Sequence, residues 1–286
     1  MAAGTSARLA VRALGNDDLT PVVRLLVQRP VSNLFVSARI RHLGLDPFVL
    51  GCQVLGCERD GELVAMCHAG SNLVPVGSAA PDVLDAFAER IGPTRRCSSI
   101  SGEAAAALGL WERLTARWQG SWTRPRDVRR HQPLMAISAD PALPGDTRVE
   151  VIGPDRQEPY FEAAVAMYTE EVGVSPLAPS PTAYRSYVET LLATRRAFGV
   201  VQDGRVVFKA DLGAVSGEYA QIQGVWLAPH LRGQGLAAPM MASMVTLARR
   251  VAPHLSLYVN DYNLAAIRTY ERVGFTRVGE FATVLY

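Results

Sequence analysis

The stretch Gln221-Ile222-Gln223-Gly224-Val225-Trp226-Leu227-Ala228-Pro229-His230-Leu231-Arg232-Gly233-Gln234-Gly235-Leu236-Ala237-Ala238 decides the reading of this chain. Its first part alternates as a half-buried strand does. Pro229 lacks the N–H that a strand ladder needs, so the strand is predicted to end there. Beyond Gly235, the residues Leu236, Met240, Met244, Ala248 and Val251 repeat along one helical face. A glycine-bearing turn therefore stands between the end of a strand and the start of a helix.

That placement has a physical consequence. The first N–H groups of a helix have no partner inside it, and the helix dipole adds partial positive charge there. Glycine lacks the Cβ that would hold an anion away from the main chain. The amides of Gly233, Gln234, Gly235, Leu236, Ala237 and Ala238, with Arg232 before them, suit a diphosphate. The same glycines would also serve a turn with no ligand at all, and the short pattern alone leaves both readings open.

The next segment separates them. Leu255 to Val259 reads as a buried strand, followed by Asn263-Leu264-Ala265-Ala266-Ile267-Arg268-Thr269-Tyr270-Glu271-Arg272-Val273-Gly274-Phe275. Asn263, Ala266 (or Ile267) and Tyr270 share one helical face, and Gly274 is a natural helix stop. The two segments, in this order and about 30 residues apart, resemble those of the GNAT superfamily of N-acyltransferases. In that superfamily the strand-Pro-x-x-Arg-x-x-Gly-x-Gly/Ala-helix segment binds the pyrophosphate of coenzyme A. The loop here ends in Ala237, a variant the family pattern permits.

The resemblance covers the second half of the chain and implies a role for each matching residue. Val225, Trp226 and Leu227 are expected to splay from the neighbouring strand and pair their backbone with the pantetheine arm. Gly233 to Ala238 are expected to hold the pyrophosphate, and Asn263 to bond to the cofactor arm. Tyr270 is expected to protonate the departing thiolate. Without that resemblance, Asn263 reads as a helix N-cap and Tyr270 as a core tyrosine. The implied reaction is direct attack of a primary amine on acetyl-CoA in a ternary complex, with backbone N–H donors near Leu227 polarising the carbonyl.

The amine must also lose a proton. Many members carry a glutamate eight residues before the proline, where this chain has Gln221. Gln221 and Gln223 share a strand face and suggest a polar cavity, but an amide cannot serve as a base. Glu218, Asp211, Glu170, Glu171 and His230 remain as candidates, each with a solvated surface charge as the plainer reading. The departure leaves room for two other functions. One is an acetyl-CoA-binding sensor or partner-binding module without catalysis; the other is a transferase of longer acyl or aminoacyl groups.

The rest of the chain frames this half. Its 286 residues suit two domains, and 49% apolar with 20% charged residues is the composition of an ordinary globular protein. A boundary is expected near Pro141-Ala142-Leu143-Pro144-Gly145, giving domains of 1–140 and 146–286. Each half contains a hairpin marked by Asp-Gly, Asp60-Gly61 and Asp203-Gly204. The predicted fold is α/β: two domains with mixed, mostly antiparallel twisted sheets flanked by helices. The first half lacks both motifs and looks like a degenerate acyltransferase-like domain. The combination resembles tandem members such as those similar to mycothiol synthase, and actinobacterial GNAT proteins with an N-terminal domain of unassigned role. That half would select the acceptor or serve only as a scaffold.

Several classes are set aside. A net charge of +2 does not point to nucleic acid, and no apolar run approaches the roughly 20 residues of a membrane helix. The N-terminus Met1 to Gly15 lacks a signal-peptide core, so a cytoplasmic location is expected. Positive charge is almost all arginine, since Lys209 is the one lysine, and Arg124 to His131 reads as a solvated linker. Four cysteines and five scattered histidines show no zinc-ligand spacing, so no metal is expected and the thiols should be reduced and mostly buried. Leu108, Trp111, Leu114 and Trp118 at helical spacing read as a core stripe. The acceptor, a small molecule or a protein or peptide amine, and the oligomeric state are not written in the sequence.

Overall fold

The computed structural model describes residues 9–178 and 181–286. Residues 1–8 of the N-terminal stretch, and Pro179 and Ser180 of the proline-rich segment after Val174, lie outside the described residues. The chain forms two compact units, residues 1–134 with 278–286 and residues 135–277. The fold is mixed α/β, with mostly antiparallel strands flanked by helices.

The first unit runs β1 (Leu9–Ala13), α1 (Leu19–Leu26), α2 (Leu34–Leu43), α3 (Pro47–Leu50), β2 (Gln53–Arg59), β3 (Glu62–Ala69) and β4 (Asn72–Gly77). It continues through α4 (Pro81–Ile91), β5 (Ser99–Glu103), α5 (Ala104–Trp118) and β6 (Asp127–Ile137), whose last three residues belong to the second unit. The second unit adds β7 (Glu150–Val151), α6 (Gln157–Val172), α7 (Pro181–Ala193), β8 (Ala197–Gln202), β9 (Arg205–Ser216) and β10 (Tyr219–Leu227). After it come α8 (Ala237–Ala248), β11 (His254–Tyr258), α9 (Leu264–Val273) and β12 (Thr276–Leu285). From Val278 onward β12 groups with the first unit, where Phe281 to Leu285 pair antiparallel with Glu103 to Ser99.

Strand order in the first unit is β1-β2-β3-β4-β5-β12-β6, and in the second β11-β10-β9-β8-β7. Both hairpin turns follow from their sequence. Asp60 and Gly61 have φ of 53° and 87°, and Asp203 and Gly204 have 51° and 75°. Two successive residues with positive φ match the right-handed twist of the strands they join. Both halves also repeat the order strand, helix, parallel strand, helix, strand: β4-α4-β5-α5-β6 and β10-α8-β11-α9-β12, with β4–β5 and β10–β11 the parallel pairs.

The second unit builds its core on α8. Ala238, Met240, Met241, Ala242, Met244, Val245 and Ala248 are all buried, so this helix is apolar on most of its surface. Val251, expected on its buried stripe, is instead 43% exposed because the helix has ended at Ala248. In the first unit Leu110 and Leu114 of α5 are fully buried, with Leu108, Trp111 and Trp118 packed at the edge of the same cluster. Trp118 Nε1 donates to the Ala88 carbonyl at 2.8 Å. These tryptophans therefore pack and bond structurally.

The segment Arg124 to His131 is not a linker throughout, since β6 begins at Asp127. Within it Arg129 pairs with Asp127 at 2.9 Å, and Arg130 stacks over the Trp111 ring at 5.3 Å. Consecutive charges hid the strand's alternation. All four cysteines are free thiols, with Cys57, Cys67 and Cys97 buried; burial pushes the Cys97 thiol up to about 11 and Cys67 to about 12. Among the described residues, no helix is long and apolar enough to cross a membrane.

Candidate functional site

The site is built where β10 leaves β11. The two strands pair in parallel only from Tyr219 to Gln221 against His254 to Ser256. From Ile222 onward β10 pairs with β9, and among the described residues the edge carrying Val225, Trp226 and Leu227 has no strand partner on the β11 side. The register with β9 also slips: Gln223 faces Asp211 and Trp226 faces Lys209, leaving Gly224 and Val225 opposite Ala210. This one-residue bulge has Gly224 in the left-handed region at φ 59°, which a side chain would strain.

Beneath the bulge lies a buried polar cluster. Lys209 is fully buried, and its Nζ donates to Asp211 Oδ2 at 2.8 Å and to the Gly224 carbonyl at 2.9 Å. The Tyr160 hydroxyl donates to Asp211 Oδ1 and to the Ala210 carbonyl, and its ring stacks against the ammonium at 5.3 Å. Burial, with Asp211 nearby, pushes the Tyr160 phenol well above its usual range. On the same face, Gln223 Nε2 donates to the Tyr187 hydroxyl, and Tyr187 packs against Tyr184 at 6.1 Å. The sequence pointed to Asp211 as a candidate base and to Gln223 as part of a polar cavity, but not to Lys209, Tyr160 or Tyr187 as their partners. A further signal was a lysine and an aspartate two residues apart in the apolar run Val206 to Val215.

Past Leu227 the chain makes a short 3₁₀ turn, Pro229–Leu231, before Arg232 extends the backbone. Gly233 and Gly235 follow at φ 75° and 77°, and a Cβ added at either would meet nothing within 4 Å. The first bond of α8 runs from the Met240 N–H to the Leu236 carbonyl. The N–H groups of Gly235, Leu236, Ala237 and Ala238 therefore donate to no acceptor among the described residues. Gln234 turns away, its Nε2 donating to the His230 carbonyl at 2.9 Å. Four unpartnered donors at one helix start, beside two glycines with open side-chain positions, give a site of positive potential.

Arg232 stands at the edge of that site. Its Nε donates to the Leu227 carbonyl at 2.8 Å, and its two terminal nitrogens grip the carboxylate of Glu170 at 2.5 and 2.8 Å. Trp226 Nε1 donates to the same carboxylate at 3.2 Å. Hydrogen bonding from Arg232 holds the Glu170 carboxyl below its ordinary range and raises the guanidinium. The end of α6 is thus tied to the glycine turn.

Asn263 and Tyr270 stand at the two ends of α9. Asn263 is its N-cap, with Oδ1 accepting from the Ala266 N–H at 3.2 Å, and Gly274 ends the helix in the left-handed region at φ 111°. Tyr270 is 7% exposed, packs against Phe275 at 5.9 Å, and makes no hydrogen bond through its hydroxyl among the described residues. Burial first, then the charge of Glu171, pushes this phenol above its usual range. It therefore stays protonated at neutral pH and can give a proton but not take one.

The acidic candidates do not converge. Asp211 is neutralised by Lys209, and Glu170 by Arg232. Glu218 sits in the β9–β10 turn, at the far end of β10 from Leu227, where its carbonyl accepts from the His254 N–H. His230 lies in the turn after β10, and Gln221 is 8% exposed. In the first unit, the loop at the matching place is Ser78-Ala79-Ala80-Pro81, without glycine. It offers no comparable cradle.

Residues 161–275 match the Acetyltransferase (GNAT) family, and residues 52–160 match a domain of unknown function, DUF4081. A search of the curated proteins found no significant match. Among solved structures, the chain is similar to an acetyltransferase from the GNAT family from Colwellia psychrerythraea. The two are 15% identical at a TM-score of 0.56, covering 97% of this chain and 99% of that one. A GCN5-related N-acetyltransferase from Sphaerobacter thermophilus is 16% identical at 0.58, covering 96% and 94%. A tandem GNAT protein from the clavulanic acid biosynthesis pathway is 13% identical at 0.52, covering 97% and 98%. At such identities the likeness is one of fold.

Proposed function

From a chain that carries a GNAT acetyltransferase domain over residues 161–275, we propose an N-acetyltransferase that moves an acetyl group from acetyl-CoA to a primary amine. The observation that carries this reading is the run of unpartnered amides from Gly235 to Ala238 at the start of α8, beside two glycines whose side-chain positions are open. A diphosphate fits such a cradle, and Gly233 and Gly235 keep it free of side chains. Arg232 would exchange the Glu170 carboxylate for the same charge.

The remaining roles follow from position. The backbone of Val225, Trp226 and Leu227, without a strand partner toward β11 among the described residues, offers main-chain groups to an extended amide-bearing arm. Asn263 caps α9 with its oxygen and keeps its amide N–H₂ for that arm. The bound thioester supplies the acetyl group and a thiol leaving group. Tyr270, held protonated, delivers the proton that the leaving sulfur needs. Gln221 and Gln223 cannot accept the amine's proton, so it departs through a group outside β10. The amine belongs to a small molecule or to a protein or peptide.

The test is release of free coenzyme A from acetyl-CoA against a library of amines. Dependence of release on an amine supports the reading, and Tyr270→Phe should lower it while leaving cofactor affinity in place. Gln221, standing where a base would be expected, favours a second reading: a module that binds acetyl-CoA without turning it over. Binding without release across the library would select it. Competition among acetyl-, succinyl- and longer acyl-CoA would reveal a larger acyl donor.

A further inference from the structure

The one lysine of the chain, Lys209, has no exposed surface and is joined to an aspartate that is also buried. An ion pair buried in this way is seldom more stabilising than well-packed apolar residues. Its presence in the middle of an apolar strand calls for another account. The geometry supplies one, because the other hydrogen-bond partner of the ammonium is the carbonyl of Gly224 in the β10 bulge.

The pair fits closely against that glycine. A Cβ at Gly224 would lie 2.8 Å from Lys209 Nζ and 2.9 Å from Asp211 Oδ2. The ammonium is itself fixed from below by Asp211, which is held by the Tyr160 hydroxyl. A peptide unit is planar and trans, so a carbonyl pinned in one direction sends the N–H of the next residue the opposite way. Lys209 thereby sets the direction of the Val225 N–H. A carbonyl that accepts from a cation also polarises its own peptide, which makes that N–H a stronger donor.

We infer that Lys209, with Asp211 and Tyr160, is a positioning group that orients and polarises the Gly224–Val225 peptide against the carbonyl of the acyl group. It touches neither substrate nor cofactor and acts only through the bulge. The inference rests on the acetyl-CoA reading given above and adds to it that the Gly224–Val225 peptide meets the acyl end of the bound cofactor.

The single lysine permits a direct test on the full wild-type chain. Labelling lysine with ¹⁵N gives one side-chain ammonium signal, that of Lys209. Calorimetry first establishes binding of acetyl-CoA and of coenzyme A. The ammonium signal should then move on adding acetyl-CoA and move clearly less with coenzyme A, which lacks the carbonyl. Acetyl-CoA that binds while the signal stays in place, or shifts equal to those with coenzyme A, would overturn the inference. Absence of binding to either would instead overturn the cofactor reading itself, and this inference with it.

A variant gives a second readout. Lys209→Met with Asp211→Leu removes both charges together, so no lone charge stays buried, and Tyr160 keeps the Ala210 carbonyl. The variant should melt cooperatively and still bind coenzyme A. The infrared carbonyl band of carbonyl-labelled acetyl-CoA, displaced on binding to the wild type, should lose most of that displacement. A folded double variant that displaces the band as the wild type does would refute the positioning role.

Discussion

Arg232 and Glu170 form a two-pronged ion pair, 2.5 and 2.8 Å, between the glycine turn and the end of α6. The guanidinium is therefore already engaged by a carboxylate with the shape and charge of an anionic ligand. Both side chains are more than a third exposed, so the pair is worth at most about 1 kcal/mol. Glu170→Gln should strengthen coenzyme A binding, by about fivefold or less, with the melting temperature nearly unchanged. Calorimetric affinities of the two proteins at equal salt decide it; a weakened affinity would mean that Glu170 holds Arg232 in place for the ligand.

Gly235 separates ligand binding from folding. Its φ of 77° costs a side chain roughly 1–2 kcal/mol, yet a Cβ there meets no protein atom within 4 Å. Gly235→Val should lower stability by only about that amount. Affinity for coenzyme A should fall by about tenfold or more, because the side chain crowds the turn that carries the free amides. Parallel denaturation and binding curves measure both effects.

Asn263 carries a structural duty that can be isolated. Loss of the cap in Asn263→Ala should cost about 0.5–2 kcal/mol of stability. Asn263→Asp keeps the cap, so it should recover the stability. It removes the amide donor and adds negative charge, so cofactor affinity should stay low. Recovery of both by aspartate would confine Asn263 to capping.

Tyr270→Phe should reduce turnover by about 10²- to 10⁴-fold at neutral pH without weakening cofactor binding. The pH dependence of stability gives a companion expectation. Tyr160, Tyr184, Tyr187 and Tyr270 all have phenols raised by burial. An unfolded phenol ionises near 10, and the folded forms ionise higher, so the unfolded state loses protons first as pH rises. Stability should be unaffected by these groups below about pH 9 and should decline above about pH 10. Urea unfolding across that range checks the sign.

The legible parts of the fold were those fixed by local chemistry. Asp60-Gly61 and Asp203-Gly204 announced their turns because few residues adopt two positive φ angles in succession. The glycine turn was visible because Pro229 ended a strand and Leu236 opened an apolar helix. β4 was hidden by Pro75, which breaks the usual strand signature although Pro75 still pairs in register with Cys67. The pairing of Phe281 with Glu103 joins residues far apart in sequence, and no local pattern encodes such a partner. The same is true of Tyr160 and Asp211: Lys209 and Asp211 were readable as neighbours on a strand face, but not the tyrosine that completes them.

The central claim, that the start of α8 grips the diphosphate of coenzyme A, is tested most directly by calorimetric titration of the intact chain with acetyl-CoA. The account predicts one cofactor bound per chain, with the affinity lowered about tenfold or more in Gly235→Val. A folded wild-type protein that gives no binding heat up to millimolar cofactor would contradict it.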